Sequence, residues 1–401
     1  MSPDAVRELV DELRPRYRQA SRPEKSRILD QVCEITGYHR KSANRLMLLR
    51  REEQPKKPHG RRPVYRGGEL MSALLLLWEA SGFVCSKYLK VALPFLMAKL
   101  EQKSGILYGR KLASLLNAIS ASTIDRLLRP HRQKRVGQRY ISNRQASSLR
   151  NKIALHTFRE LRELPVGYAE IDLVFHCGMT LKDFHLTTLV AVETSSSWTI
   201  CTPVWGKGKE RVQGAVARLK RDAPYTLKGI FTDNGSEFIN DSLYQYTQPE
   251  QLEFSHSRPY EKNDQPRVEQ RNGSLVRRLI GYARYTSKEA FNQMEEVYRL
   301  ACLQANFIRP VSKLLSVERH GARKAKHDDE PQAPFHRLLA SEDLDDAQKD
   351  LLRQQYEIID PLAVQRDLTA AIDTLWTMEA IDPASERYRR LQRAVQAERA
   401  R

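Results

Sequence analysis

The sequence predicts a multidomain chain with an α-helical N-terminal part, an α/β core on a mixed five-stranded sheet, and a helical C-terminal region. Apolar residues recur at helical spacing through most of the first 130 residues. Strand-like runs of β-branched residues begin near residue 165, and helical spacing returns after residue 340. A chain of 401 residues is long enough for several domains with cores of their own.

Two helical patterns with a short turn at Gly37 between them occupy residues 1–51. This arrangement is typical of the helix-turn-helix motif, whose second helix enters the major groove of DNA. We therefore predict a DNA-binding domain here. Four residues of the second helix would face bases and phosphates: Arg40, Lys41, Asn44 and Arg45.

A second helical region, 69–130, follows a basic linker at 52–68. In the linker, Arg61 and Arg62 are suited to insertion into the minor groove of DNA. A solvated linker without DNA contacts is the alternative. The region ends with a helix, a Ser-rich turn and another helix, which predicts a second DNA-binding unit. Its outward residues would be Ser122, Thr123 and Arg126.

Positive charge is concentrated in a further linker, 131–164. From Arg129 to Lys152 the chain has eight basic residues and no acidic ones, which suits an arm that follows a DNA backbone. Its candidate contacts are Arg132, Lys134 and Arg135. The whole chain has 67 Lys and Arg against 49 Asp and Glu, a net charge of +18. This excess favours a nucleic-acid partner over a basic protein without one.

The α/β core is predicted over 165–310, with elements in the order β-β-β-α-β-α-β-α. Three leading antiparallel strands and later strands joined by helices make a mixed sheet with helices on its faces. The predicted strands are 167–176, 184–194, 197–205, 227–233 and 251–257, and the last helix is 266–284.

Three carboxylates are predicted to meet at one edge of this sheet. Asp172 lies in the first strand, Asp233 ends the fourth strand, and Glu269 lies one turn into the last helix. Carboxylates brought together raise one another's pKa unless a cation lies between them, and such oxygens suit Mg²⁺ or Mn²⁺. Two ions about 4 Å apart can promote phosphodiester chemistry. Each acid could instead be a cap or an ion pair, and Glu170 rivals Asp172 because it shares the same strand face.

These residues lie in motifs that resemble those of DDE transposases and retroviral-type integrases, which have an RNase H-like catalytic core. The motifs are EIDLV around Asp172, TDNGSEF around Asp233 and SRPYEKNDQPRVEQRN leading to Glu269. As is typical of that family, 35 residues separate Asp233 from Glu269. The continuation over 310–339 and the N-terminal helices are similar to bacterial insertion-sequence transposases of the ISNCY type.

The resemblance implies that Asp172, Asp233 and Glu269 are catalytic and hold two Mg²⁺ or Mn²⁺ ions, with Asp172 bridging both. It implies water-dependent cleavage at transposon ends to give a 3′-OH, and transfer of that 3′-OH into target DNA. The implied partners are double-stranded terminal inverted repeats and target DNA, bound by a homodimer or higher oligomer. On the last helix, three basic residues would contact phosphates or form a solvated face: Arg271, Arg277 and Arg278.

Some features depart from the retroviral pattern. The chain lacks an N-terminal HHCC zinc module, and 311–401 is predicted to be mostly helical, a packing or protein–protein element rather than a β-barrel. Two other functions stay open. His320 and Arg323 form an HxxR motif upstream of Tyr356, as in tyrosine-type site-specific recombinases, and a transposase-derived DNA-binding protein without activity would keep the same motifs.

The expected location is the cytoplasm of a bacterium, in association with the nucleoid and without a membrane. The five cysteines are scattered without CxxC spacing, which favours reduced thiols. The N-terminus has no apolar signal region, and the longest apolar run, 73–78, is too short to cross a bilayer.

Overall fold

The computed structural model describes residues 3–48, 64–133, 154–155, 164–232, 241–256, 266–320 and 323–380. The chain divides into two compact units, Met1–Val64 and Tyr65–Arg401. The division falls inside the basic linker predicted for 52–68. The domain limits predicted at 130, 164 and 310 stay predictions, since the second unit spans all three.

The described residues of the first unit form three helices: α1 (Pro3–Gln19), α2 (Arg22–Thr36) and α3 (Arg40–Leu48). The Glu24 carboxylate accepts the backbone N–H of Ser21 at 2.9 Å, as in a capping box at the start of α2. Gly37 ends α2 with a φ of 71°, a left-handed conformation that favours glycine. The apolar faces form a small core of Val6, Val10, Tyr17, Ile28, Leu29, Val32, Ala43 and Met47.

Four helices open the second unit: α4 (Gly68–Ala80), α5 (Ser86–Ser104), α6 (Arg110–Ala118) and α7 (Ala121–Gln133). α4 and α5 bury leucines on much of their surface, so they lie in the interior. Fully buried examples are Leu74, Leu77, Leu89, Leu93, Leu96 and Leu100. Within the described ranges, no helix combines the length and apolar character that a bilayer crossing needs.

A mixed sheet forms the centre of the second unit. Its strands are β1 (Ala154–Leu155), β2 (Tyr168–Phe175), β3 (Thr187–Glu193), β4 (Thr199–Val204), β5 (Gly229–Thr232) and β6 (Glu253–His256), in the order β1-β6-β5-β2-β3-β4. β2, β3 and β4 are antiparallel neighbours, whereas β2, β5, β6 and β1 run parallel. The five predicted strands and their mixed pairing are confirmed, and the two-residue β1 extends the sheet by one strand.

Helices cover both faces of the sheet. On one face, Ala169, Ile171 and Leu173 of β2 join a core with α4, α5 and α8 (Lys209–Asp222). On the other, Val174 of β2 and Val190 of β3 join a core with the helices that follow β6. These helices are α10 (Pro266–Arg271), a π-helical segment (Asn272–Arg277), α11 (Arg278–Ile280) and α12 (Lys288–Leu303), while α9 (Asp241–Thr247) lies between β5 and β6.

The C-terminal region combines helices with a hairpin that was not predicted. A second π-helical segment (Gln304–Ile308) precedes the hairpin of β7 (Leu314–His320) and β8 (Arg323–Asp328). As far as residue 380, three helices follow: α13 (Pro334–Ala340), α14 (Asp346–Ile358) and α15 (Pro361–Thr377). Lys99 of α5 donates to the Tyr356 carbonyl at 2.7 Å, and its ammonium lies 3.9 Å from the Tyr356 ring centre. The C-terminal helices therefore pack against the N-terminal helices of the same unit.

Candidate active site

Glu170 and Asp172 lie two residues apart on β2, so both face the side of the sheet that α10 covers. Their neighbours on the opposite face, Ile171 and Leu173, are apolar and belong to the other core. Glu170 has no exposed surface, whereas Asp172 is half-buried. β2 therefore presents one fully buried carboxylate and one half-buried carboxylate to α10.

Glu170 holds the first turn of α10. Its Oε2 accepts the backbone N–H groups of Arg267 and Val268 at 3.1 and 3.0 Å, and Arg267 Nη1 lies 2.6 Å from Oε1. First-turn N–H groups have no acceptor within their own helix, so this carboxylate supplies one and complements the helix dipole. Burial raises the pKa of Glu170, and the charge of Arg267 opposes that rise. Glu170 therefore fixes the start of α10 on β2.

Asp172 is bonded to the residue that directly follows α10. Asn272 Nδ2 donates to Asp172 Oδ2 at 2.5 Å, and the Leu173 backbone N–H donates to Oδ1 at 2.7 Å. Asn272 Oδ1 is buried and has no hydrogen-bond partner among the described residues. Asn272 was not among the predicted site residues, although asparagine is a poor helix former and here stands inside a helical pattern.

Glu269 is exposed in α10, three residues before Asn272. Residues three apart on a helix are surface neighbours, with roughly 5–6 Å between their Cβ atoms. Because Asn272 touches Asp172, the structure sets the helix that carries Glu269 against the strand that carries Asp172.

Asp233 lies outside the described residues. β5 is described as far as Thr232, which is paired in register with Ile171, the residue before Asp172. In the described part of the chain, no three His, Cys, Asp or Glu side chains are grouped to hold a metal ion, and Asp233 is not among those residues. The side-chain oxygens in this region that suit a cation are the carboxylates of Asp172 and Glu269 and the Oδ1 of Asn272. All three are hard oxygens, so the residues present fit Mg²⁺ or Mn²⁺.

The three arginines predicted on this helical stretch have different surroundings. Arg277 Nη2 donates to the Phe175 carbonyl at 3.1 Å, and burial lowers the pKa of Arg277 while the Asp172 charge opposes the change. Arg271 Nη2 lies 3.5 Å from the Ser197 carbonyl oxygen, and burial also lowers the pKa of Arg271. Arg278 is exposed. Arg278 is thus the most accessible of the three to a ligand.

In the first unit, the predicted DNA-contact residues divide into two pairs. Arg40 forms an ion pair with Asp30 and bonds the Ser26 hydroxyl at 2.5 Å, and Asn44 Oδ1 accepts the Tyr17 hydroxyl at 2.8 Å. Lys41 and Arg45 are exposed and lie one turn apart on α3. The outer face of α3 therefore presents two cations.

On α7, Ser122 and Arg126 are exposed one turn apart, and Thr123 is half-buried. The Thr123 backbone N–H donates to the Ser120 hydroxyl at 3.2 Å, which caps the start of the helix. Arg132 is ion-paired with Asp125. Four other predicted contacts lie outside the described residues: Arg61, Arg62, Lys134 and Arg135.

The residues of the HxxR motif occupy the β7–β8 hairpin. His320 and Arg323 are register partners at the end of the two strands. The Tyr356 ring stacks on Phe335 at a centroid distance of 4.5 Å, and burial raises the pKa of Tyr356. Tyr356 is therefore part of the packing between α13 and α14.

Comparisons with solved structures gave retroviral integrases. The catalytic core of BIV integrase is 18% identical with a TM-score of 0.29, and the match covers 42% of this chain and 91% of that core. A chain of the simian T-cell lymphotropic virus intasome, in complex with a PP2A regulatory subunit, is 17% identical with a TM-score of 0.29. That match covers 56% of this chain and 70% of that chain. The HTLV-2 integrase core in complex with magnesium is 16% identical with a TM-score of 0.28, and the match covers 37% of this chain and 92% of that chain. At these scores the likeness assigns neither fold nor activity.

No family model matches the sequence. A protein of Sinorhizobium fredii, the uncharacterized protein y4rM, is 36% identical over 332 residues. The alignment covers 82% of this chain and 94% of the relative. The chain therefore belongs to the same family as y4rM.

Proposed function

We propose that the protein is a DDE-type DNA transposase, of the bacterial insertion-sequence ISNCY type, with an RNase H-like catalytic core. The observation that carries this proposal is the double attachment of α10 to β2. Glu170 holds the first turn of α10, and Asn272 binds Asp172 one turn after Glu269. This attachment holds the helix that carries the exposed Glu269 against the strand that carries the half-buried Asp172, and carboxylate oxygens are the ligands that Mg²⁺ and Mn²⁺ prefer.

In this proposal, Asp172, Asp233 and Glu269 hold two Mg²⁺ or Mn²⁺ ions. When bound, such ions supply charge stabilisation for the attacking and leaving oxygens of a phosphodiester. Asp233 is assigned from its motif, and it directly follows Thr232, the register partner of Ile171. Asn272 orients the Asp172 carboxylate, and Glu170 fixes the helix. The proposed roles of Asp172 and Glu170 differ because Glu170 is fully buried against α10, whereas Asp172 is half-buried and can be reached by a ligand.

The substrate in this proposal is double-stranded DNA: the terminal inverted repeats of a transposon and a target site. The protein would cleave at the transposon ends to free a 3′-OH and join that 3′-OH to target DNA. The net charge of +18 and the exposed cations of α3 and α7 support a DNA partner. Since two ends must be joined, we propose a homodimer or higher oligomer that acts in the bacterial cytoplasm at the nucleoid.

The proposal is tested by strand transfer with Mg²⁺ on DNA fragments that carry the inverted repeats flanking the gene. Asp233→Asn and Glu269→Gln should each reduce product by more than the roughly 100-fold that the loss of an outer-sphere partner costs at a metal site. The matched control is Asp222→Asn, an exposed carboxylate at the end of α8. Equal strand-transfer activity of wild type and Asp233→Asn would contradict the catalytic role proposed for Asp233.

The same strand-transfer reactions distinguish the proposed transposase from a tyrosine recombinase and from a DNA-binding protein without activity. A tyrosine recombinase would form a covalent 3′-phosphotyrosyl adduct that is lost in Tyr356→Phe. The stacking of Tyr356 on Phe335 supports a packing role instead. A DNA-binding protein without activity would bind the repeats and give no strand-transfer product with either metal.

A further inference from the structure

Three arginines of the second unit form what we call the arginine cluster: Arg271, Arg278 and Arg309. Arg271 ends α10, Arg278 begins α11, and Arg309 directly follows the second π-helical segment. Burial, and then the charges of Arg271 and Arg278, lowers the pKa of Arg309 to about 10. Because charges act on one another in this way only at short range, the three guanidinium groups are neighbours.

Contacts with the turn between β3 and β4 hold two members of the cluster in place. Arg271 Nη2 lies 3.5 Å from the Ser197 carbonyl oxygen. The Thr199 backbone N–H donates to Asn306 Oδ1 at 2.8 Å, and Asn306 Nδ2 donates to the Thr199 carbonyl at 2.8 Å. Asn306 is buried and lies shortly before Arg309 in the sequence. The helix that carries Arg271 and the segment that leads to Arg309 are therefore fixed to the same short turn.

Arg309 extends from a rigid part of the core. The whole π-helical segment before it is buried, and the Arg309 backbone N–H donates to the Gln304 carbonyl at 3.0 Å. Gln304 is itself fixed, since its Nε2 donates to Gln365 Oε1 of α15 at 2.6 Å. Only the Arg309 side chain is left to be ordered when a ligand binds, which keeps the entropic cost of binding low.

The arginine cluster has no carboxylate partner within the described part of the chain. The groups that oppose the fall in the pKa of Arg271 and Arg309 are thiols and a phenol. They are Cys201, Cys302 and Tyr88 beside Arg271, and Cys85 beside Arg309. Arg267, one turn before Arg271, shows the usual pairing, with its Nη1 2.6 Å from Glu170 Oε1. Since buried charges are normally paired, the cluster is arranged for an anion that a ligand supplies.

The arginine cluster can be reached from solvent. Arg278 is exposed, and Arg271 and Arg309 are half-buried. The Arg309 guanidinium forms no hydrogen bond with a described residue, and its nitrogens are not among the fully buried, unbonded atoms of the described ranges. These nitrogens therefore reach the surface, and an anion can approach them without any change in the core.

Three guanidinium groups suit a phosphate. Each presents five N–H donors in a planar fork that binds two oxygens of a phosphate at once. A carboxylate accepts one such fork, so a cluster of three favours phosphate. Arg271 directly precedes Asn272, which bonds Asp172. A phosphate bound to the cluster therefore lies against the helical stretch that carries the proposed catalytic Glu269.

We propose that Arg271, Arg278 and Arg309 together bind one phosphate of a transposon end and position that DNA strand at α10. This inference rests on the proposed function, because that function makes DNA the ligand. Arg309 was not among the predicted DNA contacts. Free inorganic phosphate has the same chemistry, and a cluster hydrated by water alone would serve only the fold, so the test distinguishes both from DNA.

The test replaces single phosphates of an end duplex, which carries one of the inverted repeats flanking the gene, with neutral methylphosphonates. The affinity of the full chain is measured for each position. Wild type should lose about 10- to 100-fold at one position or more, the range of a hydrogen bond to a charged group. Arg309→Gln should bind the unmodified duplex more weakly by a similar factor and lose little more at that position.

The matched control for this test is Arg299→Gln. It removes an exposed arginine of α12 that is already paired with Glu296. This variant should keep both the wild-type affinity and the wild-type dependence on methylphosphonate position.

Urea unfolding shows whether each variant folds. If Arg309→Gln does not fold, Arg309→Lys takes its place, because lysine keeps the charge and the apolar stem but not the fork. The loss at the sensitive position should then fall to a few-fold. A lysine variant with the wild-type dependence on position would overturn the inference. A wild-type scan with no sensitive position would also overturn it, and that measurement needs no variant.

The remaining outcomes separate the arginine cluster from the function on which it depends. A loss that persists unchanged in Arg309→Gln would overturn the site and leave the proposed function standing. If that variant also lost stability, the cluster would belong to the fold alone. Inorganic phosphate that raised the unfolding temperature of DNA-free wild type but not of Arg309→Gln, with a DNA scan independent of Arg309, would assign the site to a free anion. Failure of wild type to bind the end duplex at low salt would contradict the proposed function itself.

Discussion

Glu170 and Asp172 face the same helix from neighbouring positions on β2, yet their surroundings differ. Around Glu170, two backbone N–H groups and the guanidinium of Arg267 occupy the carboxylate, and no surface is exposed. Around Asp172, the helix supplies the side-chain amide of Asn272, and the carboxylate is half-buried. A fully buried carboxylate surrounded by donors fixes structure, whereas a half-buried carboxylate can be reached by a ligand. Three predictions test this difference in order of decreasing effect, and a fourth concerns His176, which directly follows the same strand.

The largest effect is expected on stability at Glu170. Glu170→Ala removes the acceptor of two first-turn N–H groups and the carboxylate that Arg267 contacts, with Arg267 only 13% exposed. Breaking a buried ion pair from one side typically costs about 3–5 kcal/mol. Urea unfolding at pH 7 measures this free energy. Glu170→Gln keeps an acceptor oxygen and should lose less; an alanine variant as stable as wild type would contradict the anchoring role.

Asp172→Asn should show the opposite pattern. Because Asp172 is half-buried and the amide is isosteric, its free energy of unfolding should stay within about 1 kcal/mol of wild type. Strand transfer should fall by more than about 100-fold. Both quantities are measured on the same preparation. If stability were lost and activity per folded molecule retained, the assignments of the two carboxylates would be reversed.

A smaller loss of metal affinity and of strand-transfer activity is expected when Asn272 is replaced. Removing its amide in Asn272→Ala leaves Asp172 without the bond that orients Oδ2, and outer-sphere partners of metal sites typically contribute about 10- to 100-fold. The readouts are Mn²⁺ affinity by electron paramagnetic resonance and strand transfer. Ser274→Ala, on the same helical stretch, is the control. Similar changes in both variants would show that the effect comes from the helix rather than from the bond to Asp172.

The smallest effect is expected at His176, through the pH dependence of the free energy of unfolding. His176 directly follows β2, and its imidazole forms a hydrogen bond with the Thr188 hydroxyl at 2.7 Å. Burial, with the charges of Arg277 and His185, lowers the pKa of His176 to about 3. The unfolded chain takes up this proton near pH 6.5, so stability is lost as pH falls below that value, by up to about 1.4 kcal/mol per pH unit. Unfolding of wild type and His176→Gln between pH 7 and 5 measures this slope. A parallel pH dependence of the two proteins would contradict the assignment.

The sequence predicted the features that local pattern encodes. Alternation and β-branched runs located the five main strands, and helical spacing located α10 with Glu269 near its start. It did not reveal that Glu170 holds α10, because the partners lie 97 and 98 residues away and their register depends on tertiary packing. β1 has two residues and no periodicity. The β7–β8 hairpin was missed because its strands are mostly polar, and apolar alternation is the signal by which strands are recognised.

The most direct test is a crystal structure of the full chain soaked in Mn²⁺, with anomalous difference density used to locate the ions. We expect peaks about 2.0–2.2 Å from carboxylate oxygens of Asp172, Asp233 and Glu269. Peaks located elsewhere, or Asp233 and Glu269 on separate surfaces with no ion between them and Asp172, would contradict it.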